Sequence, residues 1–205
     1  MQRNELHRKP AWPKPASRRT NLFGWGGFGD RTNISSGTLQ ELWAKALALE
    51  DRSGQRAVMV TTELVGFHAS VADTIAEQVE KQHGLSRARL VLNSSHTHSG
   101  PDLLCDRLVF WTWRLSAEQL RDIEDYTRQL EDQVVAVVGA ALKDLRPARL
   151  SFGHGEANFG VNRRRKPEQS GAVSFVPNPL GPVDSDVPVL RMESEPGQLR
   201  AVVFG

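Results

Sequence analysis

Two histidines separated by one residue are the side chains of this sequence best suited to chemistry. His96 and His98 stand in the segment Ser-His-Thr-His-Ser-Gly-Pro, residues 95–101, shortly after the apolar run Leu90-Val91-Leu92. In an extended segment alternate side chains project to the same face, about 6.5–7 Å apart along the strand. Two neutral imidazoles on one face can share a cation, or one can bind it while the other moves protons. The spacing therefore predicts a metal or proton-transfer site at a strand end.

A His-x-His pair by itself is also compatible with two solvated or hydrogen-bonded side chains. Two features of the surrounding sequence favour a site. The hydroxyls of Ser94 and Ser95 could orient the imidazoles, and Gly100 with Pro101 ends the strand where a cleft would lie. The neighbouring Asp102 could also orient an imidazole, although a solvated loop carboxylate is the simpler interpretation.

The elements around the pair predict a parallel strand arrangement. Ala57–Leu64 reads as a strand, and an apolar stripe at i, i+4 spacing predicts a helix that Gly84 caps; this stripe comprises Val71, Ala72, Ile75, Ala76 and Val79. The segment 87–95 is the next strand. A strand, helix and strand in this order form a crossover, so the histidines are predicted at the carboxyl edge of parallel strands.

Further elements follow from local patterns. The run Glu50–Gly54 predicts a hairpin turn between Ala44–Leu49 and Ala57–Leu64. A helix is also compatible with the first segment, through the apolar residues Leu39, Leu42, Trp43, Ala46 and Leu47. Ser116 and Gln119 have capping-box spacing before a long helix that Pro147 stops. Residues 150–152 predict a strand, and residues 187–192 and 199–204 predict a second hairpin. We therefore expect an α/β protein with a mixed sheet and crossover helices.

Composition limits the class of protein. The 205 residues are 39% hydrophobic and 24% charged, which suits one globular domain. A net charge of +2 gives no argument for nucleic acid binding, and no apolar run is long enough for a transmembrane helix. The single cysteine, Cys105, excludes an internal disulfide framework.

The first 20 residues differ from the rest of the chain. They are basic and proline-rich, and they lack the 7–15-residue apolar core of a signal peptide. We expect residues 1–20 to form a disordered or extended arm, with the α/β domain spanning residues 21–205. The glycine-rich run Phe23–Asp30 lacks the flanking strand and helix of a phosphate-binding loop and is predicted to be a surface loop.

The histidine segment, residues 95–101, resembles the signature of the neutral/alkaline non-lysosomal ceramidase family, in its N-terminal catalytic domain. Three other segments resemble that family in the same order: Ala57–Leu64, Phe159–Arg164, and the run from Gly181 to Leu190. The likeness covers roughly residues 24 to 205. One departure is Glu63, where the family more often has Asp.

The resemblance implies a zinc-dependent amidohydrolase that cleaves ceramide, an N-acyl lipid, to a fatty acid and a sphingoid base. It implies that His96 is a zinc ligand, that His98 moves a proton or stabilises an oxyanion, and that Arg163 faces the active site and holds a substrate oxygen. Such a lipid substrate allows contact with a membrane surface. The family's second metal histidine and its later Glu and Tyr ligands are expected beyond Gly205. We therefore expect a C-terminally truncated portion with little hydrolytic activity by itself.

Two other functions remain open at this point. A different metal-dependent hydrolase, such as an amidohydrolase barrel, also uses His-x-His, with His154 as the one histidine that follows the pair. A non-catalytic binding protein could keep the fold without the site. The basic run 163–166 is predicted to be a solvated loop rather than a nucleic acid contact, and His7, His68 and His83 are given no role.

Overall fold

A computed structural model of the chain describes the backbone of residues 2–6 and residues 38–103, 116–165, 175–194 and 197–205. The chain divides into two compact units, Met1–Pro147 and Ala148–Gly205, where the composition suggested one domain. Each unit has its own sheet within the described residues, so the backbone hydrogen bonds of each sheet are made without the other. Cys105 and Lys166 lie outside the described residues.

The first sheet has the strand order β1 (Gln2–Leu6), β2 (Ala44–Glu50), β3 (Arg56–Thr62) and β4 (Leu90–Ser94). Strands β2 and β3 form the predicted antiparallel hairpin, and the Asp51 carboxylate accepts the backbone N–H groups of Ser53 and Gln55 in its turn. Val58, Val60 and Thr62 alternate into the interior along β3. This period of two is the reason that the segment forms a strand with one buried face.

A crossover through helix α1 (Ala69–His83) joins β3 to β4 and makes these two strands parallel, as the sequence predicts. The helix buries the stripe Val71, Ile75, Ala76 and Val79. It ends at Gly84, whose φ of 66° lies in the left-handed region that glycine adopts without a Cβ clash. A short 3-10 turn, Arg87–Arg89, leads into β4.

Helix α2 (Ala117–Lys143) begins at the predicted capping box, in which Ser116 and Gln119 exchange side-chain to backbone hydrogen bonds. Its buried face includes Leu130, Val134 and Val138, which join the core built from α1 and the first sheet. The helix ends at Lys143, before Pro147. No helix in the described parts of the chain is long and apolar enough to cross a membrane.

The second unit is a three-stranded antiparallel sheet of β5 (Arg149–Glu156), β6 (Asp186–Ser194) and β7 (Gln198–Phe204). The predicted strand at 150–152 and the predicted hairpin at 187–204 are both confirmed. Met192 and Ala201 pair across β6 and β7 and are the buried apolar side chains among the described residues of this unit.

The sequence predicts a disordered or extended amino-terminal arm, and the part of it that the structure describes is extended. Gln2–Leu6 forms strand β1 and pairs antiparallel with β2, with Gln2 opposite Glu50 and Leu6 opposite Ala46. Backbone hydrogen bonding at the edge of β2 holds this strand, because strand pairing does not require an apolar sequence. The rest of the arm and the glycine-rich run lie outside the described residues.

Candidate functional site

The histidine segment continues the line of β4 past its last residue. Beyond Ser94, the N–H of Ser95 donates to the carbonyl oxygen of Thr62 at 2.9 Å, and the N–H of Thr97 donates to that of Leu64 at 3.2 Å. These bonds tie residues 95–97 to the chain that leaves the neighbouring strand β3. The histidines therefore lie at the carboxyl edge of the parallel pair β3 and β4, as the crossover predicts.

The extended geometry predicted for the pair is wrong at His96. Its φ is 57°, in the left-handed region, and the strand stops at Ser94. Histidine is one of the residues enriched in this region, but the conformation is still less favourable than an extended one. The turn nevertheless brings the rings of His96 and His98 to a centroid distance of 5.1 Å, with an interplanar angle of 61°.

A backbone carbonyl orients His96. Its Nδ1 lies 2.7 Å from the carbonyl oxygen of Val65. Because a carbonyl oxygen only accepts, Nδ1 carries the proton in the neutral ring and Nε2 keeps its lone pair. A metal-binding histidine characteristically donates its second ring N–H to a carbonyl or carboxylate in this way. His96 is solvent-exposed, so Nε2 of this ring suits a metal ion.

The sequence predicts that the hydroxyls of Ser94 and Ser95 orient the imidazoles. The Ser94 hydroxyl instead contacts another side chain. Its Oγ lies 3.1 Å from Oγ1 of Thr62, which also lies 3.1 Å from the carbonyl oxygen of Asn93. Thr62 is buried. The hydroxyls of Thr62 and Ser94 thus connect the ends of β3 and β4. The Val65 carbonyl, rather than a hydroxyl, orients the His96 ring.

Close packing shapes the turn after the histidines. A Cβ on Gly100 would lie 3.3 Å from Cγ2 of Thr97 and 3.4 Å from Cδ1 of Leu42. Glu63, at the position where the family more often has Asp, accepts the backbone N–H of Trp43 on Oε2 at 2.9 Å. This carboxylate therefore fixes the chain that enters β2.

Asp102 is not a solvated loop carboxylate. It is half-buried, and burial raises the pKa of its carboxyl, while the nearby charge of His68 acts in the opposite direction. His68 precedes α1, so this electrostatic contact joins the start of the helix to the turn after the histidines.

His154 lies in the second unit and has a carboxylate partner. Its Nδ1 lies 2.8 Å from Oδ1 of Asp186 across strands β5 and β6, and its ring meets that of Phe152 edge to face. Both members of the pair are substantially exposed. An exposed pair of this kind contributes little to stability.

Arg163 also lies in the second unit, on a loop held by its neighbour Asn162. The Asn162 side chain accepts the N–H of Arg164 at 2.9 Å and donates to the carbonyl oxygen of Pro182 at 3.0 Å. The Asn162 carbonyl accepts the N–H of Asn178 at 2.7 Å. Arg163 donates to the carbonyl oxygen of Phe175 at 3.4 Å. Asn162 is therefore a structural anchor for the predicted catalytic arginine.

A close approach by Gly181 completes this anchor. A Cβ on Gly181 would lie 2.5 Å from Cγ of Asn162, so a larger residue would displace the asparagine side chain. The sequence indicated Gly181 only as the start of a family-like run, and it did not single out Asn178. The run Asn-Pro-Leu-Gly-Pro at 178–182 is a turn signal that could have indicated them. No sequence pattern could have indicated the role of the Val65 carbonyl, because every residue has a backbone carbonyl.

The described residues contain no group of three or more His, Cys, Asp or Glu side chains placed to hold a metal ion. The imidazoles of His96 and His98 are two possible donor groups that this turn brings close together. Their chemistry suits zinc, but a catalytic zinc ion takes about three protein ligands.

Comparisons with known proteins agree with the segments singled out above. The family model for the neutral/alkaline non-lysosomal ceramidase, N-terminal, matches residues 20–201. The structure is similar to the crystal structure of neutral ceramidase from Pseudomonas aeruginosa, with a TM-score of 0.69 and 22% sequence identity. That match covers 90% of this chain and 29% of the Pseudomonas chain.

A structure described as ceramidase complexed with C2 is similar to the same degree, with a TM-score of 0.67, 22% identity, and coverage of 90% of this chain and 28% of the other. No curated protein sequence matches the chain. At this identity the structural likeness shows the fold, while the family match spans nearly the whole sequence. The chain belongs to the neutral/alkaline non-lysosomal ceramidase family, through the match of its residues 20–201 to the N-terminal model of that family.

Proposed function

We propose that this chain is part of the catalytic domain of a zinc-dependent amidohydrolase that cleaves the amide bond of a ceramide-like N-acyl lipid. The products would be a fatty acid and a sphingoid base. The observation that carries the proposal is the hydrogen bond from Nδ1 of His96 to the Val65 carbonyl, within a chain that belongs to the ceramidase family. With Nδ1 engaged in this bond, Nε2 of His96 would be the ring atom that binds the metal ion.

His96 would hold the zinc ion through Nε2, and the Val65 carbonyl would keep the ring in the ligating tautomer. A zinc ion in such a site lowers the pKa of bound water to about 7 and polarises the amide carbonyl. The strand pairing of Ser95 and Thr97 holds His96 in its left-handed conformation, so the ring needs little reorganisation on binding.

His98 would transfer a proton during amide hydrolysis or donate to the developing oxyanion. Its ring lies 5.1 Å from that of His96, between centroids, which places it next to the proposed metal ligand. An imidazole suits this role because its ordinary pKa lies close to neutral pH. Arg163 would hold the substrate's carbonyl or hydroxyl oxygen, since a guanidinium is a permanent cation with several donors in one plane.

The proposal includes a limit on activity. The described part of the chain has two imidazoles at the site and no third metal-binding side chain beside them. The P. aeruginosa neutral ceramidase is much longer, since this chain spans 29% of it. We expect the 205-residue chain alone to bind zinc weakly and to hydrolyse ceramide little, with the remaining ligands supplied by further parts of a family catalytic domain.

The test uses the 205-residue chain and a hybrid in which it replaces the matching segment of the P. aeruginosa neutral ceramidase. Zinc content and hydrolysis of a fluorescent ceramide are measured on both, and circular dichroism checks that the hybrid folds. The hybrid should bind zinc and hydrolyse ceramide. His96→Ala should remove zinc and activity together.

Two further variants separate the proposed roles. His98→Ala should keep zinc but lower kcat by about 10²–10⁴-fold. His154→Ala is the matched control, because the proposal gives this exposed histidine no role, so the change should affect neither property. A folded, active hybrid whose zinc content is unchanged by His96→Ala would contradict the assignment of the ligand.

A further inference from the structure

The three residues that follow β3 lie between the entry to β2 and the histidine segment. We call residues 63–65 the exit segment. Its first residue, Glu63, contacts Trp43 ahead of β2, and its other two residues offer carbonyl oxygens to the histidine segment. The middle residue, Leu64, is fully buried. The exit segment is therefore the part of the chain through which the entry to β2 can act on the position of His96.

The register of β2 and β3 defines the hydrogen bonds that an ordinary ladder would make at this point. Ala44 lies opposite Thr62, and the same register places Trp43 opposite Glu63. In an antiparallel pair, alternate residue pairs exchange two backbone hydrogen bonds, one in each direction. One of these is present, because the N–H of Glu63 donates to the carbonyl oxygen of Trp43 at 3.0 Å. The other would run from the N–H of Trp43 to the carbonyl oxygen of Glu63.

The side chain of Glu63 takes the place of that carbonyl oxygen. The N–H of Trp43 donates to Oε2 of Glu63 at 2.9 Å, and the two strands end at Ala44 and Thr62. The carbonyl oxygen of Glu63 faces the turn after the histidines, since it lies 3.5 Å from the position of a Cβ on Gly100. The carboxylate therefore satisfies the N–H of Trp43 while the chain turns away from β2.

The next two residues of the exit segment make the contacts that hold His96. The carbonyl oxygen of Leu64 accepts the N–H of Thr97 at 3.2 Å, and that of Val65 lies 2.7 Å from Nδ1 of His96. An N–H···O hydrogen bond weakens once its donor and acceptor are more than about 3.2 Å apart. A displacement of the exit segment by about 1 Å would therefore remove the bond to the ring, and the tautomer of His96 depends on where this segment lies.

The bond between Trp43 and Glu63 is well suited to fixing the exit segment. A hydrogen bond from a backbone N–H to a carboxylate is about twice as strong as one between neutral groups. Both residues are half-buried, so water competes less for this bond than it does at a fully exposed site. Together with the backbone bond, it ties the first residue of the exit segment to the entry of β2 at two points.

We propose that Glu63 is a positioning residue for His96. Its carboxylate holds the exit segment where the Val65 carbonyl keeps the proton of the neutral His96 ring on Nδ1 and the lone pair on Nε2. The consequence for catalysis rests on the proposed function, in which Nε2 binds zinc. The tautomer exists in the zinc-free protein as well, so the two proposals can fail separately.

The first measurement is the tautomer of His96 in the zinc-free 205-residue chain, from long-range ¹H–¹⁵N NMR spectra at a pH where the ring is neutral. Glu63→Ala should show a mixture of the two tautomers, because the exit segment is no longer tied to Trp43 by a side chain. Glu63→Met should do the same, and it keeps a long side chain in case the alanine variant does not fold. Glu63→Gln retains an acceptor oxygen at the same distance along the side chain and should keep the proton on Nδ1.

The second measurement is the zinc affinity of the hybrid with the P. aeruginosa neutral ceramidase, by competition with a chromophoric chelator. Loss of the group that orients a metal-binding histidine typically lowers metal affinity by about 10–100-fold. Glu63→Ala and Glu63→Met should lie near the lower end, about tenfold, because the Val65 carbonyl is displaced rather than removed. Glu63→Gln should recover most of this loss.

Glu50→Ala is the matched control. Glu50 lies at the other end of the same hairpin, where its side chain is 16% exposed and forms an ion pair with Arg56 at 2.6 Å. Its replacement should lower the thermal stability without changing the tautomer of His96 or the zinc affinity.

Two results would overturn the role of Glu63. One is a proton that stays on Nδ1 of His96 in both Glu63→Ala and Glu63→Met. The other is an equal change of tautomer in Glu50→Ala, which would assign the effect to a general loss of stability. A tautomer that follows Glu63, in a hybrid whose zinc content does not depend on His96, would support the positioning role and contradict the proposed function.

Discussion

The helical residue Gly139 lies directly against the imidazole of His83. A Cβ at position 139 would stand 2.4 Å from Cε1 and 2.6 Å from Nε2 of that ring. The ring also lies 3.2 Å, at Nε2, from the carbonyl oxygen of Val135. Because Gly139 has no side chain, the His83 ring at the end of α1 can lie directly against helix α2.

Gly139→Ala should therefore destabilise the first unit, although alanine favours a helix. Displacing the ring costs about 1–3 kcal/mol, against a gain of about 1 kcal/mol in helix propensity. The sign should reverse when His83→Ala is the starting protein, because the clash is then absent. Urea unfolding followed by helical circular dichroism measures all four proteins. An equal effect of Gly139→Ala in both backgrounds would contradict the contact.

The protonation state of His96 is a second prediction. The neutral ring should carry its proton on Nδ1, since the Val65 carbonyl beside Nδ1 can only accept. Long-range ¹H–¹⁵N NMR spectra distinguish the two tautomers, and added zinc should perturb Nε2 rather than Nδ1. The exposed His154, whose Nδ1 faces Asp186, is the internal comparison. A proton found on Nε2 of neutral His96 would remove the basis for its role as a ligand.

The third prediction concerns the anchor of the Arg163 loop. Asn162→Ala removes the acceptor for the N–H of Arg164 and the donor to Pro182, so we expect a loss of about 1–3 kcal/mol in local stability. Amide hydrogen exchange at Arg164 and Asn178 should become faster. Asn158→Ala is the control, at an exposed position of the same loop. Equal exchange rates in the two variants would show that Asn162 does not hold the loop.

Stability should depend on the ionisation of Asp102. Burial raises the pKa of this carboxyl above its ordinary value of 3.8, so the folded state favours the neutral form. Its contribution to stability is fully present below pH 3.8 and is lost as the pH rises through the folded-state pKa. Asp102→Asn stays neutral, and it should therefore be more stable than the parent at neutral pH.

The measurement for Asp102 is the free energy of unfolding of the parent protein and of Asp102→Asn, from below pH 3.8 to neutral pH. The advantage of Asp102→Asn should shrink as the pH falls below the ordinary carboxyl value. The charge of His68 opposes the burial effect, so His68→Gln should enlarge the advantage at pH values where that ring is charged. An asparagine variant that is less stable at neutral pH would show that the attraction to His68 exceeds the cost of burial.

Much of this architecture follows from local patterns in the sequence. The capping box at Ser116, the cap at Gly84, the hairpin turn at Asp51 and the apolar stripes of both helices each depend on residues within a few positions of one another. Such interactions form wherever the segment lies. The family resemblance follows from the sequence for the same reason, because its motifs are short runs such as residues 95–101.

The geometry of the histidine site could not be predicted from its sequence motif alone. The prediction of an extended His-x-His pair assumed that β4 continues. Instead His96 adopts a left-handed conformation, between hydrogen bonds from residue 95 to Thr62 at the end of β3 and from residue 97 to Leu64 just after it. The division into two units was also not visible in composition, because it depends on which strands pair. No local pattern reports which sheet a strand will join.

The sequence by itself therefore determined the helices, most of the strands, the crossover and the family, since these depend on periodicity and on motifs of neighbouring residues. The tertiary structure decided the tautomer of His96 through the Val65 carbonyl, the anchoring of Arg163 by Asn162 and Gly181, and the fit of His83 over Gly139. The physical reason is distance along the chain. A backbone carbonyl or a missing Cβ acts on a residue far away in sequence, and only folding brings the two into contact.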